Sequence, residues 1–382
     1  MKAKHFRNLG VRWVRGWSAC ALVGALGAVK PVNAEPGPLY ARMEPVAVDS
    51  GRLDNPRSEP AVVFSQVIDL GPDVPWVRVL FDKETTLSSG SYIRVTSLLD
   101  GESQTLDTAE LRKWGNGTAF FNGSQVKIEV VGGPRTGINR VRVGEMYIGD
   151  RPLDVVVEAV PVSIDHGAGG VASICGGADG RLPLLPPADD RRVGRLLRGG
   201  KRPPGKDPDN PEDTYCTAFR INIQGDLDKL HLTAGHCFGL SRWDQNMPTS
   251  PGFILQFRVP ESNANCSIVH PAVVHQYPVI AASVISRVEG RGNDWAVFKC
   301  DLQEGKSDFQ REGGAFDPAS LTTNVDERVP VDITGFGVDG ASPAMGAHLI
   351  PGYPPGHLCT VQPAGVDPIF CGERLIGGSC RI

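Results

Sequence analysis

Six residues constrain this chain more than any others: Leu232-Thr233-Ala234-Gly235-His236-Cys237. A histidine follows three small residues and is tied down at once by a cysteine. Bulky side chains at Thr233, Ala234 and Gly235 would hold neighbouring backbone away. Small ones let the chain pack closely and give the imidazole a defined position. Imidazole takes and returns a proton near neutral pH more readily than any other side chain, so His236 is a candidate general base. The alternative is a buried histidine beside a structural cysteine.

A second element begins 56 residues later, Gly292-Asn293-Asp294-Trp295-Ala296-Val297-Phe298. Asp294 caps a strongly apolar strand and so arrives with a defined direction. A carboxylate held there can accept a hydrogen bond from a histidine Nδ1–H, fixing the tautomer and stabilising the imidazolium formed on proton uptake. A surface Asn-Asp turn is the plainer alternative. Asp301 competes for the role, but it follows Cys300 and leaves the strand's end. Val331-Asp332-Ile333-Thr334-Gly335-Phe336-Gly337 then sets an aromatic residue between two glycines.

In this order the three elements resemble the trypsin-like (chymotrypsin-fold) serine peptidases. The Thr-Ala-Gly-His-Cys form is similar to their bacterial glutamyl-endopeptidase branch. The resemblance is specific from Cys216 to Gly337, weak before that stretch and lost after it. It implies a double β-barrel with His236 at the seam, acting as general base and then general acid, and Asp294 as its orienter. It also implies a disulfide from Cys237 to Cys216 that clamps the histidine loop against an earlier strand. Acyl transfer to a serine, a protein or peptide substrate, and no cofactor or metal complete the expectation.

At the nucleophile the pattern breaks. A Gly-Asp/Asn-Ser-Gly turn, whose backbone N–H groups would form an oxyanion hole, does not occur. After Gly337 the serines are Ser342, which comes too early, and Ser379. Ser379 lies in Ile376-Gly377-Gly378-Ser379-Cys380-Arg381-Ile382, 85 residues past Asp294, and is the nucleophile candidate by position. The second barrel is expected to be incomplete. From Ser342 the chain is rich in Pro, Gly and Cys without a clear alternating strand, as a frameshift or truncation would leave it.

Composition agrees with an all-β build, with 46 glycines and 31 prolines in 382 residues and only short apolar runs. A formal net charge of −4 points to neither nucleic acid nor an anionic membrane as partner. Residues 1–34 read as a secretory signal. Lys2, Lys4, Arg7, Arg12 and Arg15 precede an apolar run from Trp17 to Val29, and Val32-Asn33-Ala34 offers small residues for cleavage. That run is short for a membrane span, so the expected location is secreted or periplasmic with no membrane attachment after signal removal. Of nine cysteines Cys20 leaves with the signal, and the eight that remain read as disulfides in an oxidising compartment. Cys266 and Cys300 lie in one half and are expected to pair. His357, Cys359, Cys371 and Cys380 lack a CxxC pair, so a zinc cluster is not expected.

From Ala61 to Glu158 the pattern has period two. Val77-Arg78-Val79, Ile93-Arg94-Val95, Val126-Lys127-Ile128-Glu129-Val130 and Val141-Arg142-Val143 alternate apolar with charged residues, so each run should bury one face and wet the other. Gly71-Pro72, Asp100-Gly101, Asn122-Gly123 and Gly133-Pro134 mark turns between them. A β-sandwich over residues 35–165 follows, with a short helix at Leu106 to Trp114. Trp76, Tyr92, Trp114, Phe120 and Phe121 are expected in its core, a sugar or peptide groove being the alternative. Residues 166–213 read as a linker stiffened by Leu182-Pro183-Leu184-Leu185-Pro186-Pro187 and Arg202-Pro203-Pro204-Gly205. Within it Arg192-Val193-Gly194 has the local form of a zymogen cleavage site, or else is solvated basic linker. The peptidase-like domain would occupy residues 214–382, with the sandwich as accessory or pro-domain. The contrasting possibility is a non-catalytic secreted binding protein that retains a partial protease fold.

Overall fold

A computed structural model of the chain describes residues 37–38, 41–149, 191–198, 214–222, 230–238, 252–260, 268–288, 294–315, 329–331 and 359–361. Residues 1–34, which read as a signal, Ser379, and Cys175, Cys266, Cys371 and Cys380 lie outside them. The described residues are mostly strand, arranged in antiparallel sheets, with two short helices. None of the described helices is long and apolar enough to cross a membrane.

After β1 (Gly37–Pro38), the first module contains β2 (Ala41–Asp49), β3 (Leu53–Asn55), β4 (Ala61–Asp69), β5 (Trp76–Phe81), β6 (Tyr92–Ser97) and β7 (Ser103–Leu106). Helix α1 (Thr108–Lys113) is followed by β8 (Phe121–Asn122), β9 (Gln125–Gly132), β10 (Thr136–Asn139) and β11 (Arg142–Gly149). Two four-stranded sheets form, in the orders β2-β11-β5-β8 and β4-β9-β6-β7. Val48, Val79 and Met146 from one sheet and Ile68, Ile93 and Ile128 from the other enter a single core. Burying each such side chain contributes about 1.5–3 kcal/mol, and it is this shared core that holds the two sheets face to face. Helix α1 forms where expected. The Asp107 side chain accepts from the backbone N–H of Ala109 at 2.7 Å and of Glu110 at 2.9 Å, capping its first turn.

Alternation holds on β6, where Ile93, Val95 and Ser97 are buried and their neighbours half-buried. On β5 it fails: all six residues are buried, Arg78 included. The segment from Trp114 to Phe121 covers the face that Arg78 should have wetted. Arg78 Nε donates to the Thr118 carbonyl at 2.7 Å, and burial lowers its guanidinium to about 9. Trp76, Trp114, Phe120 and Phe121 all lie in the core, as expected, while Tyr92 is half-buried.

The second module contains β12 (Val193–Leu197), β13 (Thr214–Ile221), β14 (Leu230–Thr233), β15 (Ile254–Gln256), β16 (Gln276–Pro278), β17 (Ile285–Val288) and β18 (Asp294–Phe298). Helix α2 (Asp308–Glu312) follows, with a capping box between Ser307 and Gln310. The strands form one sheet in the order β16-β15-β12-β13-β14-β18-β17, with β1 added beside β13. Strand β12 falls inside the stretch expected to be linker. All five of its residues are buried, and it pairs with β13 on one side and β15 on the other. Gly194 permits this, since a Cβ there would stand 2.9 Å from the Gln256 carbonyl. Its arginines disguised it in sequence: Arg195 is buried rather than solvated.

The end strands of the path, β16 and β17, are consecutive in the chain. An isolated bridge pairs Val279 with Cys300, flanked by Ile280 N–H donating to Lys299 O at 2.9 Å and Asp301 N–H donating to Pro278 O at 2.8 Å. Ladder pairing itself does not close the sheet among the described residues. In the tail, β19 (Val329–Val331) pairs with β20 (Cys359–Val361). A strand therefore exists beyond His357, where the sequence showed no clear alternation. Both modules belong to one compact unit spanning residues 36–382, and Leu197, Ile254, Ile268 and Val273 of the second join the core of the first.

Candidate active site

Strand β14 delivers the histidine motif. It pairs with β13 through Phe219↔Leu232 and with β18 through His231↔Phe298, Leu232↔Val297 and Thr233↔Ala296. The chain then enters a 3-10 turn, Gly235–Phe238. Three independent ties fix that turn. Cys237 is disulfide-bonded to Cys216 on β13 with Cα atoms 6.0 Å apart, the pairing the resemblance implies. The Thr233 hydroxyl donates to the Thr217 carbonyl at 2.7 Å. Gly235 lies against the two outer strands: a Cβ would collide with the Arg287 carbonyl of β17 and stand 2.9 Å from the Trp295 carbonyl of β18. The glycine before the histidine is thus required by close backbone approach.

The register carries Asp294 to the same end. Continuing the β14–β18 ladder past Thr233↔Ala296 brings the turn alongside Trp295 and Asp294. Asp294 is the first residue of β18 and is half-buried. The His236 backbone lies in the turn, its imidazole outside the described atoms. Ser379 is likewise outside. Asp301 lies beyond the opposite end of β18, about 20 Å along the chain at roughly 3.3 Å per residue. Burial raises its carboxyl, and Lys113 and Glu110 of α1 are the charges that act on it. It belongs to the contact between modules, away from the histidine turn.

Among the described residues Cys300 carries a free thiol, and its expected partner, Cys266, lies outside them. The Cys300 backbone occupies the bridge to Val279, and burial, with Asp308 and Asp301 adding to it, pushes the thiol well above its ordinary range.

Two polar clusters went unseen in the sequence. His231 Nε2 lies 2.9 Å from Asp308 Oδ2 and its Nδ1 3.3 Å from the Phe298 carbonyl, with both residues buried. The ring stacks on Phe298 with centroids 5.0 Å apart. This buried pair anchors α2 to the sheet. One turn later the buried Glu312 receives His275 Nδ1 at 2.5 Å, the Tyr277 hydroxyl at 3.0 Å and Arg258 Nε at 2.7 Å. The one signal in sequence was the Ser307–Gln310 capping box, which places Asp308 and Glu312 on one helical face.

No family model, curated protein or solved structure matches this chain.

Proposed function

We propose that this chain is a secreted serine-type endopeptidase of chymotrypsin-like double-barrel build with an incomplete second barrel, His236 being the general base and Asp294 its orienter. One observation carries the proposal: the β14–β18 register and the close approach at Gly235 bring the histidine turn alongside the residue that opens β18. The adjacency of β16 and β17 in the chain, with the Val279–Cys300 bridge, supports a first barrel built from this sheet. In the reaction, His236 takes the proton of the serine hydroxyl as it attacks the peptide carbonyl. It then returns that proton to the leaving amine, and water repeats the sequence on the acyl-enzyme. Asp294 holds the imidazole tautomer and stabilises the imidazolium. Ser379 is the nucleophile candidate.

Labelling of the secreted protein by a fluorophosphonate probe tests this. Loss of labelling in His236→Ala and a fall of about 10⁴-fold in rate in Asp294→Asn are expected. Ser379→Ala identifies or dismisses the nucleophile. A wild-type chain that does not label, or a His236→Ala variant that labels as well as wild type, refutes the proposal and favours a non-catalytic binding protein.

A further inference from the structure

Where the two modules meet, four side chains form a hydrogen-bond chain whose polarity is set by the backbone. Phe120 N–H donates to Gln276 Oε1 at 2.9 Å, and Gln276 Nε2 donates to Phe120 O and Pro271 O, each at 2.9 Å. The orientation of the Gln276 amide is therefore fixed. Its Oε1 also accepts from Gln256 Nε2 at 3.0 Å, which fixes the Gln256 amide in turn. Gln256 Oε1 is then left to accept from Arg195 Nε at 3.2 Å and NH2 at 2.8 Å. The remaining Gln256 Nε2 hydrogen points at His270 Nδ1, 3.0 Å away.

His270 Nδ1 must consequently be an acceptor, and the ring is neutral with its proton on Nε2. Gln256 Oε1 stands 3.3 Å from Nδ1, but both its lone pairs are taken by Arg195. The ring is 1% exposed, stacks on Phe120 at 4.5 Å between centroids and meets Trp76 edge-on at 5.1 Å. Its Nε2 is buried with no hydrogen-bond partner among the described residues. The backbone of His270 is held by Asn122, which accepts from its N–H at 2.8 Å and donates to its carbonyl at 2.9 Å.

The charged groups around the ring are unfavourable to a cation. Arg195 NH2 from β12 lies 3.5 Å from Nδ1, and the Arg78 guanidinium from β5 sits 5.4 Å from the centre of the Phe120 ring. Two carboxylates tie the rim instead, Asp100 accepting from Asn122 and Glu102 from the Val273 N–H. A proton added at Nδ1 would face the Gln256 N–H, and no amide in the chain can flip to receive it.

We propose that His270 is an acid-sensitive latch: proton uptake at Nδ1 breaks the Phe120–Gln276–Gln256 chain and loosens the sandwich from the second module. Burial, reinforced by Arg195, already holds this imidazole well below its ordinary value. The sign follows from linkage. The opened state takes its proton near about pH 6.5 and the closed state much lower. The latch is at full strength above about pH 6.5 and weakens about tenfold per pH unit below it, until the closed-state value is reached.

Hydrogen exchange of the full chain, corrected for intrinsic rates, tests the latch between pH 7 and 5. Peptides covering residues 118–123 and 268–276 should lose about 30-fold in protection, while the peptide of β9 holds its own. His270→Asn, which keeps an acceptor at the Nδ1 position without titrating, should give a flat profile. A flat wild-type profile, or an equal fall in His270→Asn, overturns the proposal. Should that variant fail to fold, Gln256→Glu provides Nδ1–H with an acceptor, raises the closed-state value toward the open-state one and should shrink the fall. A fall of undiminished size overturns it equally.

Discussion

Adding one methyl group at Gly235 probes both the packing of the histidine turn and the role assigned to it. In Gly235→Ala the new Cβ collides with the Arg287 carbonyl oxygen and lies 2.9 Å from both the Arg287 carbonyl carbon and the Trp295 carbonyl oxygen. Arg287 and Trp295 face each other on paired strands β17 and β18. Backbone atoms in a ladder cannot swing aside as the tip of a flexible side chain would. Ordinary contact begins at 3.4 Å, so the turn must retreat by about 0.5 Å from Trp295 and further from Arg287. The Cys216–Cys237 bond and the Thr233 hydroxyl oppose that retreat. Overpacking a rigid site costs about 1–3 kcal/mol. Displacing a catalytic group by about 1 Å lowers rates on the order of 100-fold. The urea midpoint of Gly235→Ala should fall accordingly with its disulfide intact, and its fluorophosphonate labelling should slow about 100-fold. Wild-type stability would refute the packing. A destabilised variant that labels at the wild-type rate would refute His236 as the base.

Three other outcomes are expected. Cys216→Ser/Cys237→Ser opens a crosslink of sequence separation 21 and should cost about 3 kcal/mol in urea unfolding, a loss under about 0.5 kcal/mol counting against it. The Arg192–Val193 bond should resist trypsin in the folded protein, because Arg192 O accepts from Arg220 N–H at 2.9 Å and Val193 is paired with Phe219. A Val193 N-terminus found by mass spectrometry at urea concentrations where the chain is still native would contradict this. Glu312→Ala leaves Arg258, His275 and Tyr277 without their common acceptor and should cost on the order of 3 kcal/mol at pH 7. Burial raises the Glu312 carboxyl, but hydrogen bonds from His275, Arg258 and Tyr277 outweigh it and leave a net lowering. The wild-type advantage is therefore complete above the ordinary carboxylate range and shrinks as pH falls through the folded value. An advantage unchanged from pH 7 to about pH 3 would refute the assignment.

Local geometry was legible in the sequence and long-range pairing was not. Thr233-Ala234-Gly235 spelled close backbone approach, which Gly235 makes, and the short helix expected at Leu106 to Trp114 forms as α1. Arginine misled in two places for one physical reason: a charged letter suggests solvent, yet Arg78 and Arg195 are buried where carbonyl and amide oxygens accept their N–H groups. The first hid the two-sided burial of β5, and the second turned a central strand into apparent linker. His231 and Asp308 are 77 residues apart, and Glu312 gathers partners from two other segments. No spacing rule connects such residues, since it is the sheet that assembles them.

The same misreading concealed how the sandwich relates to the second module. Gln256, Gln276 and His270 carried no assigned role in the sequence, yet all are buried and oriented by the Phe120 backbone. Leu197, Ile254, Ile268 and Val273 draw part of their burial from the sandwich core. At about 1.5–3 kcal/mol for each fully buried side chain, even half of that total is a large share of the 5–15 kcal/mol that stabilises a typical domain. A bare second module would also trade the hydrogen bonds between Gln276 and Phe120 for bonds to water, a net loss of about 0.5–1.5 kcal/mol each. Both effects act in the same direction. The sandwich contributes to the folding stability of the module that carries His236 and Asp294, and a tether that merely held the two side by side would supply neither contribution.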